Sequence, residues 1–335
     1  MSSKQPIVHP GRHTRETADE TGRSVVAGRM GRDIIHRCPG NPLITIGSLS
    51  FQSSDIYDAG AVKVDGEYVL LVTVQSLTGR CSMYLARSTD GRHFTIDDKP
   101  FMSRAEAGPF ASGEALGVRD ARITKLDGTY YICYLAEGDA GERGAIARTD
   151  DFTSYERIAF LNEPDTKNPT LFPAKIAGRY ALLERPPTRA LWIAYSDDLV
   201  YWGDRTVVMT PRGGYWDSDR VGAAAPPIEI EGGWLLIYYG VRSTSAGPLF
   251  RLGAAILDRN DPSQVVARSN VPILSPREKY ERIGDVGNLV FATGALLEDD
   301  GEVLIYYGAS DSCICLGAAT LDEIIQACMA SAREF

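Results

Sequence analysis

Apolar positions along this chain fall into short runs separated by Gly- and Asp-rich breaks. Five runs share one form, a glycine opening an aromatic or aliphatic stretch: GEYVLLVTV at 66–74, GTYYICYLA at 128–136, GRYALLERP at 178–186, GGWLLIYYG at 232–240 and GEVLIYYGA at 301–309. β-Branched and aromatic residues bounded by turn formers predict strands. Each run is followed by a loop and a second run with small residues: SMYLARSTDG, GAIARTDDF, LWIAYSDDL, RLGAAILDRNDP and CLGAATLDE. The first three of these end in a Ser/Thr-Asp-Asp/Gly turn and then an aromatic, His93-Phe94, Phe152 and Trp202. Asp and Gly in such turns bend the chain between strands of one sheet.

The units recur every ~50–70 residues, the range of propeller blades. The pattern predicts an all-β fold, a five-bladed β-propeller. Only LDEIIQACMASAREF, at 321–335, reads as an amphipathic helix, so a short C-terminal helix is expected. A parallel α/β fold would need helices between the strands. A two-sheet sandwich would not explain a fivefold repeat. Residues 1–30 are polar and without periodicity, and read as a flexible arm, with docking in a homo-oligomer and plain disorder both open. Residues 31–335 are expected to form one catalytic domain.

Composition narrows the partners. The formal net charge of the 335 residues is −9, which argues against nucleic acid, because phosphate backbones need a basic footprint. A small anion needs only a local basic pocket. The six cysteines are scattered, without a CxxC pair or a His at zinc-site spacing, and read as buried free thiols. The four His residues form no metal constellation, and no metal or organic cofactor is expected. No apolar leader or membrane-length run is present, so a cytoplasmic protein without a membrane partner is the expectation.

Polar residues stand shortly before each repeated strand: Asp58 in IYDAGAV, Asp120 in GVRDARIT, Lys167 and Asn168 in DTKNPTLFP, Arg220 in DSDRVGAAAPP and Asp285 in IGDVGNLVF. The repeat predicts that all five sites converge near one mouth. A carboxylic acid there can protonate a leaving glycosidic oxygen. Lys and Arg can hold a phosphate. Phosphate would then be the nucleophile, and no second carboxylate would be needed as a base. Structural readings compete at each position. Asp120 could pair with Arg119 or Arg122 at the surface, Arg185 could tie a loop, Lys167 could be solvated, Arg220 could neutralise Asp217 and Asp219, and Asp285 could cap its turn. The four Trp residues suit packing, with Trp216, in a Gly-rich loop, the best candidate for a sugar platform.

Several blocks together resemble glycoside hydrolase family 130, the β-mannoside phosphorylases and related mannosidases. They are RDIIHRCPGNPLIT, YLARSTDGRHF, GVRDARIT, DTKNPTLFPAKIAGRYALLERP, WDSDRVGAAAPPIEIEGGWLLIYYGV, FRLGAAILDRNDPSQV and GDVGNLVF, spanning about Arg32 to Ile325. The resemblance implies a five-bladed propeller and assigns the acid to Asp120, acting through a hydroxyl of the mannosyl unit. It implies phosphate contacts at Lys167, with Asn168 beside it, Arg185 and Arg220. At a fourth such position Phe250 lacks the hydroxyl of the family's Tyr. The sugar subsite departs further. Arg119 and Ala121 flank the acid in place of Glu and Pro, Asp58 and Thr73 replace an Asn and an Arg, and Glu184 and Tyr239 replace two His residues, whereas Asp285 is kept.

The leading expectation is therefore an inverting phosphorylase, releasing a sugar 1-phosphate from a β-mannoside or related β-glycoside. A hydrolase of the same fold, with Asp58 or Glu184 activating water, is the second reading. A catalytically weak sugar-binding propeller is the third.

Overall fold

The computed structural model describes residues 33–161 and 163–331. The arm expected over residues 1–30 lies outside the described residues. The described chain is all-β with two short α-helices, Lys279–Arg282 and Leu321–Ser331, and a 3-10 turn at Ile46–Ser48. The C-terminal helix is therefore present, and it buries Ile324 and Cys328 against the sheets. No described helix is long and apolar enough to cross a membrane.

The strands form five antiparallel meanders. The first runs Asp55–Val64, Glu67–Gln75, Cys81–Ser88 and Thr95–Ile96, and the second Gly117–Leu126, Thr129–Gly138, Gly141–Thr149 and Glu156–Phe160. The third comprises Lys167–Leu171, Tyr180–Arg185, Leu191–Ser196 and Gly203–Met209. The fourth comprises Arg220–Ala223, Gly233–Thr244, Gly247–Leu257 and Val265–Arg268. The fifth uses Val290–Leu297, Glu302–Ala309 and Cys313–Thr320, and takes its outer strand, His36–Arg37, from the other end of the sequence.

The repeated runs read from the sequence are thus the second and third strands of each meander. A first strand precedes every one of them, and it is this strand that carries Asp58, Asp120, Lys167, Asn168 and Arg220. Only Asp285 stands in a loop, exposed, ahead of Val290–Leu297.

Side-chain alternation explains why the second strands are apolar almost throughout. Along Glu67–Gln75, Val69 and Leu71 pack with the second meander, among Val118, Ile123 and Ile132. Leu70 and Val72 point to the opposite face and pack with Leu304, Tyr306 and Leu316 of the fifth. Successive strand residues face opposite sides of a sheet, so both faces here are covered. The same holds between the second and third meanders (Cys133 and Ile146 with Leu182 and Ala194), the third and fourth (Leu183 and Ile193 with Leu236 and Tyr238), and the fourth and fifth (Ile237 and Leu252 with Ile305 and Tyr307). The sheets close into a ring.

The turns carry their own order. Ser88 Oγ accepts from the Gly91 amide, Thr149 Oγ1 from Phe152 and Ser196 Oγ from Leu199. The aromatics that follow them, Phe94, Phe152 and Trp202, pack into the cores between sheets. Trp216 is buried too, and it stacks on Tyr238 with ring centroids 5.6 Å apart. It is core packing, and the expectation of a sugar platform there is corrected. All six cysteines are buried and free.

Ring closure is pinned by Arg37. Its Nε and Nη2 donate to the two oxygens of the fully buried Glu281 at 2.7 and 2.8 Å, and Nη1 donates to Asp33 at 2.9 Å. Removing one partner of a buried ion pair leaves an uncompensated charge, at a cost of about 3–5 kcal/mol. Arg37→Ala should therefore lower unfolding stability by roughly that amount in a denaturant titration, whereas Arg87→Ala, at the exposed Glu67 pair, should change it by less than about 1 kcal/mol.

Candidate active site

The first strands of the meanders lie innermost, and four of them slip in their pairing with the second strand, the fifth meander's between Ala292 and Gly294 and the other three around a short polar residue. Pairing with the second strand slips between Tyr57 and Ala59, between Arg119 and Arg122, and between Lys167 and Thr170. Within the slips Asp58, Asp120 and Asn168 take φ values of 47°, 59° and 56°. A β-bulge re-aims a side chain, and Asp and Asn tolerate this left-handed backbone better than other non-glycine residues. Three successive first strands thereby turn a short polar side chain toward the ring's centre.

There a cleft of about 340 Å³ is lined by Asp58, Arg119, Asp120, Lys167, Asn168, Arg185, Arg220, Tyr239 and Phe250, together with Tyr57, Leu135, Val286, Leu289, Phe291 and Asp311. Eight of the ten residues named above as site candidates meet in it. This volume suits a small ligand.

One side of the cleft is acidic. Asp58 and Asp120 are 4% and 5% exposed, and their carboxyl groups lie within hydrogen-bonding distance of each other. Burial, then the Asp120 and Asp311 charges, push Asp58 well above the ordinary carboxylate range. Burial alone would raise Asp120 as well. The Arg119 charge, the hydrogen bond from Asp58 and the Arg122 charge outweigh it and hold Asp120 below its usual value. Arg119 Nη1 donates to Asp120 Oδ2 at 3.0 Å. Thr73 Oγ1 accepts from the Asp120 amide at 3.2 Å. Beneath them lies Arg122, fully buried, its Nη1 on the Asp120 carbonyl and its Nε on the Ala224 carbonyl, both at 2.9 Å.

The other side is basic. Lys167 pairs with Glu142, which also takes Arg119. Burial and the Arg119 and Arg185 charges lower the Lys167 ammonium from its usual value. Arg185 Nε donates to Asn168 Oδ1 at 3.4 Å, and the Tyr239 hydroxyl donates to the same oxygen at 2.8 Å. Arg220 sits 5.2 Å over the Phe250 ring and 3.6 Å from Asp219. Asp217, the other acid offered as its partner, is instead engaged by Arg212 and Arg268.

A profile of glycoside hydrolase family 130, described as β-1,4-mannooligosaccharide phosphorylase, matches residues 52–330. The chain belongs to this family. It is 37% identical over 254 residues to a β-1,2-mannobiose phosphorylase of Listeria innocua, covering 74% of this chain and 69% of that protein. It is 34% identical over 282 residues to a 1,2-β-oligomannan phosphorylase of a Thermoanaerobacter species, covering 81% of this chain and 91% of that one. A solved structure of a β-1,2-mannobiose phosphorylase from Listeria innocua in complex with β-1,2-mannobiose superposes with a TM-score of 0.80 at 30% identity, over 88% of this chain and 99% of that chain.

Some expectations within the family frame do not reach the cleft. Thr73 is fully buried and holds the Asp120 backbone from behind. Asp285 is exposed at the rim, close enough for its charge to act on Asp55 and Asp311. Glu184, offered as a water-activating carboxylate, is buried elsewhere and accepts from Arg205 at 2.8 Å. The sequence reading also passed over Asp311, Glu142 and the part played by Arg122. Asp311 has φ 49° and ends the run YYGASD, so an acid at a strand end was its only signal. Arg122 is an arginine inside an apolar strand, which marks a buried charge needing partners.

Asp311 supplies a pH test. Burial and the Asp120 charge push it up to about 7, against the pull of Arg119. The folded state then binds more protons than the unfolded chain between the ordinary carboxylate range and about pH 7, so stability falls as pH rises through that window. Asp311→Asn should remove this component. Denaturant titrations should show the variant gaining on the parent as pH rises from 4 to 8, and a constant difference would contradict the assignment.

Proposed function

We propose that the chain is a five-bladed β-propeller whose single catalytic domain, residues 31–335, is an inverting phosphorylase of a β-mannoside or related β-glycoside. The observation that carries the reading is the two-sided cleft, in which the buried acid Asp120 faces the cations Lys167, Arg185 and Arg220. The activities named for the relatives from Listeria innocua and Thermoanaerobacter support it. Phosphate is a co-substrate here, and neither metal nor organic cofactor has a part.

In this mechanism the three cations hold inorganic phosphate by charge-assisted hydrogen bonds on the face of the sugar opposite the leaving group. The bond from the anomeric carbon to the leaving oxygen breaks as a bond from that carbon to a phosphate oxygen forms. Asp120 supplies the proton that the leaving oxygen takes, through a sugar hydroxyl. The phosphate's own remaining proton then restores the acid, so the overall reaction consumes none. Tyr239, Asp58 and Arg119 bound the sugar side. Hydrolysis would need a carboxylate free to activate water. Glu184 is held outside the cleft by Arg205, and burial with the Asp120 and Asp311 charges favours the neutral form of Asp58, so neither carboxylate offered for that role is free to serve as the base.

Three outcomes test the proposal. Product analysis of a β-mannoside panel should give sugar 1-phosphate only when phosphate is present, and release of free sugar without phosphate would overturn it. Asp120→Asn should lower turnover by about 10²–10⁴-fold with the fold intact by circular dichroism. Lys167→Ala and Arg220→Ala should raise KM for phosphate before that for the glycoside; the reverse order would move the phosphate site elsewhere.

A further inference from the structure

We infer that Asp58 is a positioning residue for Asp120: it stands protonated, shares that proton with Asp120 across one hydrogen bond, and so sets the pH range over which the pair can act as an acid. The inference rests on the reading of Asp120 as the acid.

The geometry points to one proton between the two carboxyls. Both carboxyls are buried, both come from bulges on neighbouring first strands, and both face the cleft. Each has an oxygen, Asp58 Oδ1 and Asp120 Oδ1, that no N–H or hydroxyl reaches. Two such groups at hydrogen-bond distance satisfy one another only if one carries a proton, because two adjacent buried carboxylates repel strongly. The surrounding charges decide where it rests. Arg119 is bonded to Asp120 from the cleft side, and Lys167 adds charge there too. Asp311 faces Asp58 with another negative charge, which disfavours ionised Asp58. Arg122 lies under both. The Tyr57 hydroxyl is neutral and turned to Cys81 at 3.0 Å. The proton therefore rests on Asp58, and Asp120 takes it across the shared bond when the acid is needed, leaving Asp58 ionised above Arg122. The proton count of the pair does not change in that transfer.

Asp58→Asn tests this while keeping the shape and a donor toward Asp120. Asp120 then holds its proton alone beside two guanidinium groups, and releases it at lower pH. The alkaline limb of the kcat/KM profile should move to lower pH by about one unit or more, a loss of about tenfold at the alkaline end relative to the variant's own acid plateau. An unmoved limb with a raised KM for the glycoside would mean that Asp58 only touches sugar, and would overturn the inference. Infrared spectroscopy reads the proton without any assay. Above the Asp311 midpoint, the parent protein and Asp311→Asn should both show the C=O stretch of a protonated carboxylic acid, and Asp58→Asn should lack it. Absence of that band in the parent refutes the shared proton even if the enzyme is active. Its presence in a protein that fails to use phosphate sustains the shared proton and sinks the phosphorylase reading instead.

Discussion

Every sheet in this molecule is apolar on both faces, and the structure follows from the need to cover them. One face of each meander packs on its predecessor and the other on its successor. An open row would leave two large apolar faces in water, at about 25 cal/mol for each Å² exposed. Packing the fifth meander against the first removes both exposed faces together. The remaining weak point is the join between chain ends, and there the fifth sheet borrows His36–Arg37 while Arg37 grips buried Glu281.

Closure draws the five first strands together, and that crowding sets the rules at the centre. Glycine is required where backbones approach. A Cβ on Gly60 would stand 2.7 Å from the Ala121 carbonyl oxygen, and one on Gly294 would stand 2.5 Å from the Ala61 Cβ. Around these contacts the strands cannot pair regularly, and the slips at Asp58, Asp120 and Asn168 turn polar groups inward. Desolvation there makes each charge costly unless it is matched. Arg122, Arg119 and the shared proton of the carboxyl pair supply the match, so the features that make the centre tolerable are also those on which the proposed acid chemistry rests.

The legible parts of the fold were those with strong local signals. The second strands announced themselves because burial on both faces makes them continuous apolar runs, and the third strands because their turns carry Ser or Thr with Asp at fixed offsets. The first strands were not among the runs that the sequence marks as strands. Segments such as KNPTL are short, interrupted by a bulge and poor in β-formers, and they become strands only because neighbouring sheets hold them. The candidate residues were found from their recurrence, which survives in sequence even when the strand signal does not.

The sequence by itself determined the strand repeat, the family, and the convergence of Asp58, Asp120, Lys167 and Arg220, because each depends on residue order alone. Which of the other polar residues join them was decided by tertiary structure. Thr73 and Glu184 look equivalent to site residues in sequence, yet alternation along their strands sends them behind the cleft or out of it. Asp311 lies far along the chain from Asp58 and Asp120 and meets them only when the fifth sheet closes on the first. A carboxyl's protonation depends on charges within a few ångströms of it. Those neighbours come from three different sheets, so only the closed ring could set it.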